Sequence, residues 1–165
     1  IDEDMVLTPE NLYIIPNATI ITEGTTVKVM PGTHIQFWSD DANDPYADSY
    51  IAYLLVNGKF LVEGTKEKPV YIYPSQLMDR YSVEIGSSKK GYVSLKYADI
   101  TNFFYYPGSN HHVDNIIDLA DHCVFQNNYS GNVYYRTSTS SGVMSNSTGW
   151  GAIGNINAKS RKNAF

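Results

Sequence analysis

The sequence is short of nearly everything that would mark a helical, membrane-crossing or disulfide-stapled protein. It has one cysteine, so no intrachain disulfide is available. That residue, Cys123, sits in the apolar alternation "DHCVF", where a thiol serves as a small buried hydrophobe. No apolar run approaches the ~20 residues that a membrane-crossing helix needs. Charged residues make up only 18% of the 165, and the net charge of −5 leaves no basic stripe to neutralise phosphates. Nucleic acid is therefore excluded as an expected partner. Anionic polymers meet a mildly repulsive surface unless calcium bridges them. Helical periodicity is absent, and so are a nucleophile elbow and a phosphate-binding loop.

What is present is sheet-forming material. The chain is 42% hydrophobic, which excludes a disordered polymer, and it carries fourteen tyrosines with abundant Asn, Ser and Thr. Period-two runs recur: "TVKV" at 26–29, "HIQF" at 34–37, "KFLV" at 59–62, "VYIY" at 70–73, "SVEI" at 82–85 and "VSLKY" at 93–97. Pro31-Gly32, Asn57-Gly58, Glu63-Gly64, Pro74-Ser75 and Lys90-Gly91 punctuate them as turns.

The runs group in threes. One set takes 18–21, 26–29 and 34–37; a second 53–56, 59–62 and 69–73; a third 81–85, 92–97 and 99–103. A fourth takes 115–119, 123–127 and 133–135, and 142–146 with 152–157 begins a fifth. Each set is expected to form one turn of a three-sided coil, so that like strands pair in parallel. The stretches "TIITEGTTVKVMPGTHIQF", "LLVNGKFLVEGTKEKPVYIYPS" and "YVSLKYADITN" then resemble the parallel β-helix (pectin-lyase-like) repeat modules of bacterial extracellular and surface proteins. The resemblance covers 18–102 well and 115–165 more weakly. It implies an all-β, right-handed, single-stranded parallel β-helix: a three-sided solenoid of about five coils with loop insertions. It implies a fold and no chemistry, because adhesins, lyases and structural proteins share it.

The Gly-Thr pairs read as corner punctuation. Gly supplies positive φ, and the following Thr opens a strand. Pro31 before Gly32 fits a type II turn. Asn17, Asn57, Asn102, Asn127 and Asn146 fall near other corners, either as an Asn ladder or as ordinary turn residues. The expected core is Ile20, Val27, Val29, Ile35, Phe37, Leu55, Leu61, Val70, Ile72, Val83, Ile85, Val93 and Leu95. One domain is expected over 1–165, with 1–17 contributing to a cap, coils over 18–157, and 158–165 starting a further coil or tail. The opening Ile and the unfinished apolar run at the end read as a piece of a longer protein.

Two insertions break the rhythm, and a solenoid's long loops are its usual functional surface. In 38–53, Asp40, Asp41, Asn43, Asp44 and Asp48 crowd oxygen ligands together, either as a calcium site or as a solvated acidic loop. Trp38, Tyr46, Tyr50 and Tyr53 frame them, either as a sugar-binding platform or as pins for the loop. In 103–115, Tyr105, Tyr106 and His111 are candidate ligand-binding residues. His111-His112 with Asp114 is too few convergent ligands for an expected zinc site. Asp99, Asp114, Asp118 and Asp121 are candidate catalytic carboxylates, but no spacing selects a pair. Asp121-His122 resembles a polysaccharide-lyase strand motif, and Arg136 is the nearest basic partner.

The expected function is a non-catalytic scaffold or binding module of a secreted or cell-surface bacterial protein. Its insertion loops would meet polysaccharide or a cell-surface or host protein, with neighbouring domains in the same chain. The alternative is a carbohydrate-active enzyme, either a polysaccharide lyase or a glycoside hydrolase, or part of one.

Overall fold

The computed structural model describes residues 1–16, 18–38, 50–75, 81–88, 90–101, 117–126, 143–145 and 148–149. Among these residues fifteen strands run in chain order: β1 (Met5–Leu7), β2 (Leu12–Pro16), β3 (Ala18–Ile21), β4 (Thr26–Val29), β5 (His34–Trp38), β6 (Tyr50–Val56), β7 (Lys59–Glu63) and β8 (Val70–Pro74), followed by β9 (Tyr81–Ser87), β10 (Tyr92–Lys96), β11 (Ala98–Thr101), β12 (Leu119–Asp121), β13 (Val124–Gln126), β14 (Val143–Ser145) and β15 (Thr148–Gly149). Among the described residues there is no helix.

The strands sort into three sheets, and every pairing is parallel. The first sheet is ordered β1-β4-β7-β10-β12-β14, the second β2-β5-β8-β11-β13-β15, and the third β3-β6-β9. The chain visits the sheets in rotation, so each circuit lays its strands on those of the circuit before. This all-β arrangement is compatible with a parallel β-helix.

Alternation decides what each circuit buries. In β4 and β7 every second residue is buried, and register aligns the buried ones: Val27 on Phe60 on Val93, and Val29 on Val62 on Leu95. The second sheet stacks Ile35, Ile72 and Ile100 in the same way. The third stacks Leu54 on Ile85 and Ile21 on Val56. These columns form one apolar core running along the stack.

Ten of the thirteen expected core residues lie in it; Ile20, Leu55 and Leu61 do not. Ile20 is exposed, while Leu55 and Leu61 are half-buried, and their neighbours Ile21, Leu54, Val56, Phe60 and Val62 point inward instead. Each error is a slip of one residue in a run with adjacent apolar side chains, which carries the period but not the phase.

The corners explain the Gly-Thr pairs by two different means. Thr22–Thr25 and Met30–Thr33 are both closed turns: Thr25 N–H donates to Thr22 O at 3.2 Å, and Thr33 N–H to Met30 O at 3.3 Å. Gly24 (φ 86°) and Gly32 (φ 81°) take the third position of each, as a type II turn requires. Gly64 has no positive φ; it is small because Tyr97 O and Lys96 O of the next circuit lie against it. Thr25 and Thr33 do not open strands, since each precedes one and is buried. The Thr33 hydroxyl donates to Met30 O at 2.7 Å and reaches Leu7 O at 3.3 Å, tying one circuit to the one before.

The fourth expected set is displaced by one face. Residues 119–121 belong to the first sheet and 124–126 to the second, so Leu119, expected on the face of β3, β6 and β9, instead opens a strand of the first sheet. The start of the chain, 5–7 and 12–16, forms the outermost strands of the first two sheets. Asn57 lies at a corner as expected; Asn17, Asn102, Asn127 and Asn146 lie outside the described residues.

Candidate functional site

The junction between the first and second sheets turns without glycine or asparagine at two successive levels. β10 ends at Lys96 and β11 starts at Ala98, leaving Tyr97 alone to make the corner at φ 47°. One level on, His122 takes φ 53°. Left-handed backbone at a bulky side chain costs on the order of 1 kcal/mol or more and persists where the surroundings over-determine it. Here the backbone is held on both sides: Tyr97 N–H donates to Asp121 O at 2.9 Å, and Val70 N–H donates to Tyr97 O at 3.0 Å. The two rings stack, with centroids 4.5 Å apart and planes 16° apart. That is about one strand spacing, so the pair is a ladder across levels.

Beside this ladder lies an open groove of about 450 Å³, lined by Thr65, Lys66, Pro69, Tyr97, Ala98, Asp99, His122, Cys123 and Val124. The lining comes from three successive levels of the same corner. His122 Nδ1 sits 2.9 Å from Asp121 Oδ1, which orients the imidazole. Cys123 is buried, and its thiol donates to Leu95 O at 3.4 Å, so it acts as packing with a weak hydrogen bond.

The groove opens onto the outer face of the second sheet. One outward column reads Leu12, His34, Tyr71, Asp99 and Val124 in register. The next reads Ile14, Gln36 and Tyr73, and Trp38 stands on Pro16 at the strand end. His34 stacks on Tyr71 at 4.7 Å and meets Tyr73 edge-on at 6.1 Å. Trp38 is 45% exposed and Tyr71 36%. The face therefore mixes aromatic rings with amide and carboxylate groups.

Several expected site residues fall on described positions. Trp38 and Tyr53 lie on β5 and β6, Tyr53 half-buried, and Tyr50 starts β6. Asp118 is engaged with the backbone: its Oδ2 accepts from Val93 N–H at 2.8 Å and from the buried Ser87 hydroxyl at 3.4 Å. Asp118→Ala is expected to lower stability by about 2 kcal/mol, since it strands a buried donor, and denaturant unfolding will read this. Asp121 holds His122. Tyr46, Tyr105, Tyr106, His111 and Asp114, and the calcium candidates Asp40, Asp41, Asn43, Asp44 and Asp48, lie outside the described residues. Among the described residues no group of three or more His, Cys, Asp or Glu side chains is placed to hold a metal ion.

Sequence reasoning missed Tyr97 and Lys66; Asp99, a candidate carboxylate, lines the groove. A signal existed: "YADIT" at 97–101 and "HCVFQ" at 122–126 share an order of ring, small residue, variable position, apolar, polar, and their strands pair in that register. Comparison with known proteins adds nothing to the site: no family model, no curated protein and no solved structure matches the chain.

Proposed function

We propose that the chain is a right-handed parallel β-helix module that binds polysaccharide without cleaving it, as part of a secreted or surface-attached bacterial protein. The rotation of strands among three parallel sheets supports the β-helix reading. The observation that carries the glycan reading is the outer face of the second sheet. There Trp38, Tyr71, Tyr73 and His34 bring rings to the surface beside Gln36 and Asp99. Sugars ask for that combination, an apolar surface for C–H groups with hydrogen-bonding groups at its margin. A rigid stack of strands is also a suitable spacer, because its length is set by the number of circuits.

The test is binding to a panel of immobilised plant, algal and bacterial glycans, together with assays for new reducing or unsaturated ends. Binding without turnover is expected. Trp38→Ala is expected to weaken it on the order of tenfold or more, as loss of an aromatic anchor does, with the melting temperature unchanged. Robust turnover would overturn the non-catalytic reading in favour of a carbohydrate-active enzyme. A blank panel would overturn the glycan reading.

A further inference from the structure

Three polar side-chain ends in the corner groove stand out. Lys66, Tyr97 and His122 all line it. His122 commits Nδ1 to Asp121. Its Nε2, the Tyr97 hydroxyl and the Lys66 ammonium engage no partner among the described residues. They come from three consecutive levels of the stack, so the groove runs across the strands.

We infer that this groove is an oligosaccharide subsite in which a neutral, extended, equatorially linked chain lies along the stacking direction, one sugar ring to each strand level. The inference rests on the glycan reading above and adds the place, the orientation and the class of sugar. The orientation follows from the lining, because Thr65, Lys66 and Pro69 form one level, Tyr97, Ala98 and Asp99 the next, and His122, Cys123 and Val124 the third. Levels repeat at about 4.8 Å. An extended chain of equatorially linked pyranoses advances by about the same distance per ring. Tyr97 and His122 cover one face of each other's ring, and their polar ends are placed to read hydroxyls. The absence of net charge in the ligand follows from the lining too. The lining holds one ammonium, Lys66, and one carboxylate, Asp99, while the chain as a whole is negative by five charges. Pro69, Ala98 and Val124 supply the apolar floor and walls.

The test is calorimetry with neutral β-1,4-linked oligosaccharides, from monosaccharide to hexasaccharide, against the full chain and three variants. Affinity is expected to climb with length until about three rings are present and then to level off. Tyr97→Phe keeps the ring stack and removes only the hydroxyl, and is expected to weaken binding about fivefold. Lys66→Met is expected to weaken it about tenfold, as loss of a charged hydrogen-bond donor does. Melting temperatures of both should stay at the parent value. If both variants bind like the parent while Trp38→Ala does not, the groove inference falls and the glycan reading stands. If the ligands that bind are acidic glycans alone, the inference falls as well. If no glycan binds the parent chain, both fall.

Discussion

Alanine at Gly91 or Gly58 is expected to cost about 4 kcal/mol or more, enough to remove most of a domain's stability, whereas alanine at Gly24 should cost only about 1 kcal/mol. The ranking follows from what a Cβ would meet. At Gly91 it would fall on the backbone carbonyl of Val56, and at Gly58 on the carbonyls of Thr25 and Thr22. Those atoms are backbone and cannot swing aside. The same corners carry the bonds that join circuits: Asn57 N–H to Ile21 O at 2.8 Å, Lys59 N–H to Thr25 O at 2.8 Å, and Tyr92 N–H to Gly58 O at 2.9 Å. A shift large enough to admit a methyl would lengthen them together. Gly24 has the opposite profile, with nothing within 4 Å and a φ of 86°, so its alanine variant bears conformational strain alone. Soluble yield and denaturant midpoints will separate the two classes. A Gly91→Ala protein as stable as Gly24→Ala would refute the close approach of the corners.

The second large effect contrasts two neighbours. Phe60→Ala is expected to cost about 3–5 kcal/mol, and Leu61→Ala about 1 kcal/mol or less. Phe60 is 1% exposed and stacks between Val27 and Val93 at the centre of the core. Leu61 is half-buried on the outer side, between Lys28 and Ser94. Nothing on either side of Phe60 can move in, because each neighbouring level is filled to register, so the vacated volume stays a cavity. Equal costs for the two variants would mean that β7 does not turn Phe60 inward and Leu61 outward.

That contrast also marks where the sequence became unreadable. Runs such as "TVKV" alternate cleanly, so period and phase arrive together and Val27 and Val29 fall where expected. In "KFLVE" three apolar residues are consecutive, and both phases look equally good. In the structure the register sets Phe60, and not Leu61, between the buried Val27 and Val93. The same ambiguity misplaced Ile20 and Leu55. The turns at Gly24 and Gly32 were legible because positive φ has a residue signature. The reason for Gly64 was not, since it depends on Lys96 and Tyr97, more than thirty positions away and in contact only once the levels stack. The groove was hidden for the same reason. Lys66 carries no signal that links it to Tyr97 and His122, and the three become neighbours through register. Asp121 drew notice in the sequence as a candidate acid, yet its carboxylate in the structure orients His122.

The rotation of the chain among three sheets carries a mechanical consequence. Each described circuit bonds to the circuit before and the circuit after through parallel ladders, so tension applied along the stack loads those ladders in series. The weakest circuit then sets the strength of the whole. Among the described ladders the two-residue pairing of β13 with β15 is where separation should begin under load, while the seven-residue pairing of β6 with β9 and the closely seated glycines beside it should give way last.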